Sequence, residues 1–123
     1  MRRKLLLVLS LLVAIAVNAG QLTNTNLQAD ESVGVTYNVE VPAGTYECYI
    51  AGDMNSWSMQ AMTKVDDTHY TIYMEEADLS QKYKYCSGPS WTYVEKDANG
   101  AEVENRSWSE YDVVARWNEL YVP

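Results

Sequence analysis

The sequence predicts an all-β, antiparallel sandwich, and three observations carry that prediction. Val33, Val35, Tyr37, Val39 and Val41 alternate with Gly34, Thr36, Asn38 and Glu40, the period of two expected of a strand with one buried face. Short β-rich segments then recur between turn signals, from Pro42-Ala43-Gly44 to Asp97-Ala98-Asn99-Gly100. The 123 residues, less a 19-residue leader, leave 104, enough for one core and not for two.

The leader is legible as such. Met1-Arg2-Arg3-Lys4 is basic, residues 5–17 are almost wholly apolar, and Val17-Asn18-Ala19 places small residues before Gly20, where a signal peptidase would cut. Residues 1–19 are therefore expected to be a cleaved signal peptide and the product to be secreted or periplasmic. The apolar run is shorter than the roughly 20 residues that span a bilayer, so no membrane span is expected. No cysteine stands just after it to accept a lipid.

Residues 20–31 are polar, rich in Asn, Gln and Thr, and read as a flexible arm; residues 32–123 are the expected domain. After the strand at 33–41, residues 45–51 form the next, with Tyr46, Cys48 and Ile50 on one side. Residues 52–60 are a loop. Residues 61–65 and 69–74 form a hairpin around Asp66-Asp67-Thr68, with Tyr70, Ile72 and Met74 pointing one way. Residues 82–86 are a strand, Ser87-Gly88-Pro89-Ser90 a turn that presents Trp91, and residues 91–95 continue as a strand. Residues 112–118 fit a helical stripe through Val113, Val114, Trp117 and Tyr121, or a strand alternating through Val113, Ala115 and Trp117. The sandwich pattern selects the strand.

Three of the nine basic residues lie in the leader, so the remainder carries six Lys and Arg against seventeen Asp and Glu, a net charge of −11. Such a surface repels nucleic acid and anionic lipid and leaves a neutral ligand unpenalised. Cys48 and Cys86 fall on opposite faces of their strands and are expected to stay unpaired.

Two tryptophans and a lysine suggest a ligand. Trp57 ends the loop Gly52-Asp53-Met54-Asn55-Ser56-Trp57, and Lys84 and Trp91 lie in Tyr83-Lys84-Tyr85-Cys86-Ser87-Gly88-Pro89-Ser90-Trp91. A flat indole stacks on the weakly polar face of a sugar while an ammonium donates to its hydroxyls, so the expected ligand is a carbohydrate. Lys84 alternates outward between two inward tyrosines. Trp117 is assigned to the core, Trp108 to neither core nor surface, and Tyr49 and Tyr93 stand as equally good surface or binding residues.

Val41-Pro42-Ala43-Gly44, Tyr49-Ile50-Ala51-Gly52-Asp53-Met54-Asn55-Ser56-Trp57, Tyr83-Lys84-Tyr85 and Trp91 together resemble the starch- and glycogen-binding modules of the early-set immunoglobulin-like type. These include the glycogen-binding domain of AMP-activated kinase β subunits and amylase starch-binding domains. The resemblance covers residues 33–105. It implies an immunoglobulin-like β-sandwich, an α-glucan ligand, Trp57 and Trp91 as stacking platforms and Lys84 as hydroxyl ligand. Asn105-Arg106 resembles an Asn-Arg pair of the amylase-type domains, which implies Asn105 as a further sugar ligand. Met54 departs from the family's usual Phe. Related modules are associated with other polysaccharides, such as xylan, and a glycan-degrading enzyme is an implied partner.

No cofactor, metal site or enzymatic activity is expected. His69 is alone, with no nucleophile motif around it; the lone histidine and the opposed cysteines lack metal-ligand spacing, and Asp66-Asp67 shows no calcium-loop pattern. Asn105-Arg106-Ser107 fits an N-glycosylation triplet and is taken as chance. The competing expectation is an exported structural or protein-interaction sandwich, because fold does not fix function.

Overall fold

The computed structural model describes residues 34–123. The expected signal peptide, the arm at 20–31 and Val33 lie outside the described residues. Nine strands follow in chain order: β1 (Val35–Glu40), β2 (Tyr49–Gly52), β3 (Gln60–Ala61), β4 (Thr63–Asp66), β5 (His69–Met74), β6 (Tyr83–Cys86), β7 (Glu95–Lys96), β8 (Asp112–Val113) and β9 (Arg116–Trp117). They form a four-stranded sheet in the order β4-β5-β1-β8, a three-stranded sheet β3-β2-β6 and a small β7-β9 pair. All pairs are antiparallel except β1 with β8. The chain is an all-β sandwich, as its sequence predicts. Among the described residues no helix is long and apolar enough to cross a membrane.

Alternation decides which face is buried. Val35, Tyr37 and Val39 of β1 and Tyr70 and Met74 of β5 meet Ile50, Tyr83 and Tyr85 from the other sheet. With no phenylalanine in the chain, tyrosines fill the centre. Tyr37 stands edge-on to Tyr83 at 4.9 Å and Tyr83 to Tyr85 at 5.6 Å, the arrangement that aromatic quadrupoles favour. The run expected as one strand at 61–65 instead serves both sheets: Gln60–Ala61 pairs with β2, Thr63–Asp66 pairs with β5, and buried Met62 turns the corner between them.

The edges depart from expectation. Tyr46 is 54% exposed, not inward, because regular pairing begins only at Tyr49 and the preceding residues are not bound to the sheet's alternation. Residues 91–95 begin as a 3-10 turn (Trp91–Tyr93) before β7. In the last segment the inward residues are Asp112, Val114 and Trp117, since the chain breaks its alternation between β8 and β9. Trp117 is a core residue, and its indole donates to Thr45 Oγ1 at 2.8 Å. Trp108 packs against the core's margin and donates to the Thr36 carbonyl at 3.0 Å. Cys48 and Cys86 are free and buried, Cys48 on the inner face and Cys86 across from Tyr49 on the outer one.

Candidate functional site

The loop between β2 and β3 is shaped by its own side chains. Asp53 and Asn55 tie it down: Asn55 Oδ1 accepts from the Gly52 amide at 2.9 Å, and its Nδ2 donates to the Ile50 carbonyl at 3.3 Å. Asp53 Oδ2 accepts from the Lys82 amide at 2.9 Å, so the loop is fastened to the start of β6. Gly52 is required where it stands, because a Cβ there would collide with the Lys82 carbonyl oxygen and with Met54.

These ties hold a strained backbone. Ser56 (φ 57°) and Trp57 (φ 61°) both adopt the left-handed conformation, which costs a non-glycine residue about 1–2 kcal/mol. Two such residues in succession, one of them bulky, persist only where neighbours over-determine them. The Trp57 amide donates to the Gly52 carbonyl at 2.8 Å, and its indole Nε1 donates to Asp53 Oδ1 at 3.0 Å. With its single polar group occupied, Trp57 has only a flat apolar surface left to offer.

The turn after β6 brings the second ring. Gly88 lies against Tyr93 and Tyr121, where any Cβ would clash, and those two rings pack edge to face at 5.0 Å. Trp91 follows, 44% exposed, with its ring centroid 6.1 Å from that of Trp57 and the planes tilted by 38°. The two sequence-predicted indoles thus form one pair, since β2 and β6 are hydrogen-bonded neighbours and their loops leave from adjacent places.

Lys84 pairs with Ala51 across β2 and β6 and points away from the tyrosine core. It is not the solvated strand lysine its alternation suggests. Lys84 is 9% exposed, because the segment after β6 returns over the edge of this sheet, with Val94 bridging Cys86 and Glu102 bridging Lys96. Its Nζ lies 3.8 Å from Glu102 Oε2, an ion-pair distance too long for a hydrogen bond. Asn105 is exposed and precedes the bridge between Arg106 and Tyr83. Among the described residues no hydrogen bond or ring contact joins Lys84 or Asn105 to the indoles.

Sequence reasoning missed what holds this edge. The Glu95 carboxylate, 1% exposed, accepts from Arg106 Nη2 at 2.7 Å and Nε at 2.9 Å, and also from the Tyr85 amide at 3.0 Å. It thereby satisfies the stretch of β6 between the Tyr83–Arg106 and Cys86–Val94 bridges. Asp112, also buried, takes both core hydroxyls, Tyr83 and Tyr85, at 2.7 Å each, and lies 3.6 Å from Arg106 Nη1. Burial favours a neutral guanidinium, but Glu95 and Asp112 outweigh it and hold Arg106 above its ordinary value. Arg106 also packs over the Tyr85 ring at 5.5 Å. The one sequence signal was Asn105-Arg106 itself, where the neighbour of the expected ligand proved to be the anchor.

No family model matches the sequence, and no solved structure matches it significantly. Two curated proteins do. An α-amylase of Niallia circulans is 32% identical over 100 residues, covering 75% of this chain and 7% of that protein. An amylopullulanase of Thermoanaerobacterium thermosulfurigenes is 33% identical over 105 residues, covering 72% of this chain and 6% of that protein. The chain therefore spans under a tenth of the length of these relatives, and it is similar to a small segment of an α-amylase and of an amylopullulanase.

Proposed function

We propose that this chain is an exported, non-catalytic carbohydrate-binding module that holds an α-glucan on the Trp57–Trp91 pair. The observation that supports it most is the strain: the backbone keeps two consecutive left-handed residues in order to display an indole whose N–H is already occupied. Strain of this kind collects at ligand-binding sites, and an indole whose N–H is occupied keeps its face for stacking on a sugar. The α-glucan choice rests on the likeness to segments of an α-amylase and an amylopullulanase. The acidic surface fits a neutral ligand.

In this reading the rings take the apolar faces of neighbouring sugars, and Lys84, whose distance to Glu102 leaves its ammonium protons available, donates to hydroxyls. Exposed Asn105 adds a polar contact at the rim. So shallow a site binds weakly, and useful affinity comes from repeats along the polymer or from an attached or partner glycan-degrading enzyme.

Retardation in gels containing starch, glycogen, xylan or cellulose tests this. Trp57→Ala and Trp91→Ala should each weaken α-glucan binding at least several-fold, since an aromatic contact is worth on the order of 1 kcal/mol beyond its area. Both should fold normally, while Trp117→Ala, a core truncation, should cost about 3–5 kcal/mol. Wild-type retardation by two well-folded indole variants would transfer the function to protein docking. Retention on xylan alone would change the sugar and keep the platform.

A further inference from the structure

We propose that residues 118–121, Tyr121 above all, position the second indole by holding the turn that carries Trp91 in its place beside Trp57. The two rings are fastened in different ways. Trp57 is held by its own loop, through Asp53 and Asn55, and its indole Nε1 donates to Asp53 Oδ1. The Trp91 side chain makes no hydrogen bond among the described residues, so its ring stands wherever its turn stands. Within that turn the backbone closes on itself: the Ser87 amide donates to the Tyr93 carbonyl at 2.9 Å, that of Tyr93 to Ser90 at 3.1 Å, and that of Val94 to Trp91 at 3.2 Å. These bonds shape the turn and leave its outer side to be fixed from elsewhere.

Residues 118–121 do this from both sides. The buried Ser87 hydroxyl donates to the Glu119 carbonyl at 2.9 Å and accepts from the Tyr121 amide at 3.0 Å, so both of its hydrogen-bonding roles go to this one segment. The Asn118 amide donates to the Val94 carbonyl at 2.7 Å, and Asn118 Nδ2 to the Thr92 carbonyl at 2.8 Å, inside the 3-10 turn that begins at Trp91. Tyr121 closes the other side: a Cβ on Gly88 would stand 2.5 Å from the Tyr121 Cβ, and the Tyr121 ring meets Tyr93, the last residue of the same 3-10 turn, edge to face at 5.0 Å. Every side-chain hydrogen bond of residues 87–93 among the described residues thus runs to residues 118–121, across 26 to 34 positions of chain. The Tyr121 hydroxyl makes none, so its ring is what holds the turn. Tyr121 also stands outside the buried core cluster, so the turn depends on it and the sandwich does not.

The value of this placement for binding rests on the function proposed above; the placement itself does not. Two readouts keep them apart: retardation in starch gels, and the indole N–H signals of a proton–nitrogen NMR spectrum, one for each of the four tryptophans. Single Trp→Ala variants assign those signals by their disappearance. Tyr121→Ala should move the Trp91 signal, leave that of Trp108 beside β1 in place, and weaken retardation several-fold but no more than Trp91→Ala does. Tyr121→Phe should restore both readouts. Ser87→Ala, which removes the hydroxyl between Glu119 and Tyr121, should act in the same direction as Tyr121→Ala and carries the test should that variant not fold. Because Tyr121 acts through Trp91, adding Tyr121→Ala to Trp91→Ala should weaken binding no further. Additive losses overturn the inference, as does a Trp91 signal unmoved in both Tyr121→Ala and Ser87→Ala. If Trp91→Ala loses retardation while those two variants keep wild-type signals and retardation, only the positioning role fails. If the Trp91 signal moves as expected while Trp91→Ala binds as wild type does, only the platform reading fails.

Discussion

Two regions of the same sheet treat polar and apolar surface in opposite ways. Around Tyr83 and Tyr85 the protein buries charges, Glu95, Asp112 and most of Arg106, and satisfies each with several hydrogen bonds. A few residues away it leaves two indoles at the surface, half-buried Trp57 on a strained loop and exposed Trp91 on the turn after β6. A buried ionic cluster gains little net stability against an apolar replacement, but it penalises any other arrangement heavily. An exposed apolar pair contributes little to folding and is useful only when something covers it. The first region specifies where the edge of β6 lies, and the second uses that edge.

The largest test of this contrast removes the shared cation. Arg106→Ala leaves the Glu95 carboxylate buried without its partner, and we expect a loss of about 3–5 kcal/mol in a denaturant titration. A change under 1 kcal/mol would mean that the cluster is a bystander and that the contrast is wrong. The indole substitutions described above should differ in kind, losing ligand and not stability.

Alkaline pH probes the cluster without mutation. Burial, reinforced by Asp112, pushes the Tyr83 and Tyr85 hydroxyls well above the ordinary tyrosine value. Tyr49 is raised to about 12, chiefly by its hydrogen bond to Glu47. Above about pH 10 the unfolded chain releases protons that the folded chain keeps, so stability falls as pH rises. Melting temperature should therefore begin to fall near about pH 9, where the Cys48 and Cys86 thiols, which burial pushes up in the folded chain, titrate in the unfolded one, and fall more steeply by about pH 11; Tyr85→Phe should soften the later part of that decline. A melting temperature independent of pH across this range would contradict the buried hydroxyl network.

The smallest effect is expected at the loop. Ser56→Gly relieves one left-handed residue, so stability should rise by about 1 kcal/mol or less. Binding should weaken slightly as the indole is held less firmly. A gain in both would show that the strain serves nothing.

How far the sequence was legible follows the same division. Where pairing is regular, alternation placed Val35, Tyr37, Val39 and Tyr70 correctly, because one residue of slip would have turned each to water. Local chemistry also made the Trp57 loop legible, since Gly52, Asp53 and Asn55 form it by contacts within a few residues. What escaped depends on distant partners. Glu95 and Arg106 are eleven residues apart, and Asp112 meets Tyr85 across 27. No periodicity announces a carboxylate that stands in for a missing strand. The covering of Lys84 was hidden for the same reason: alternation gives a side chain's direction and not what lies above it.

The closeness of the two indoles has an optical consequence. Chromophores 6.1 Å apart and neither parallel nor perpendicular couple their excited states. The pair should contribute a bisignate band to the far-ultraviolet circular dichroism on top of the β-sheet signal. Neither ring produces that band alone, so it reports the geometry of the platform rather than its composition. A glucan that wedges the rings apart would diminish it, and one that settles across both would leave it in place.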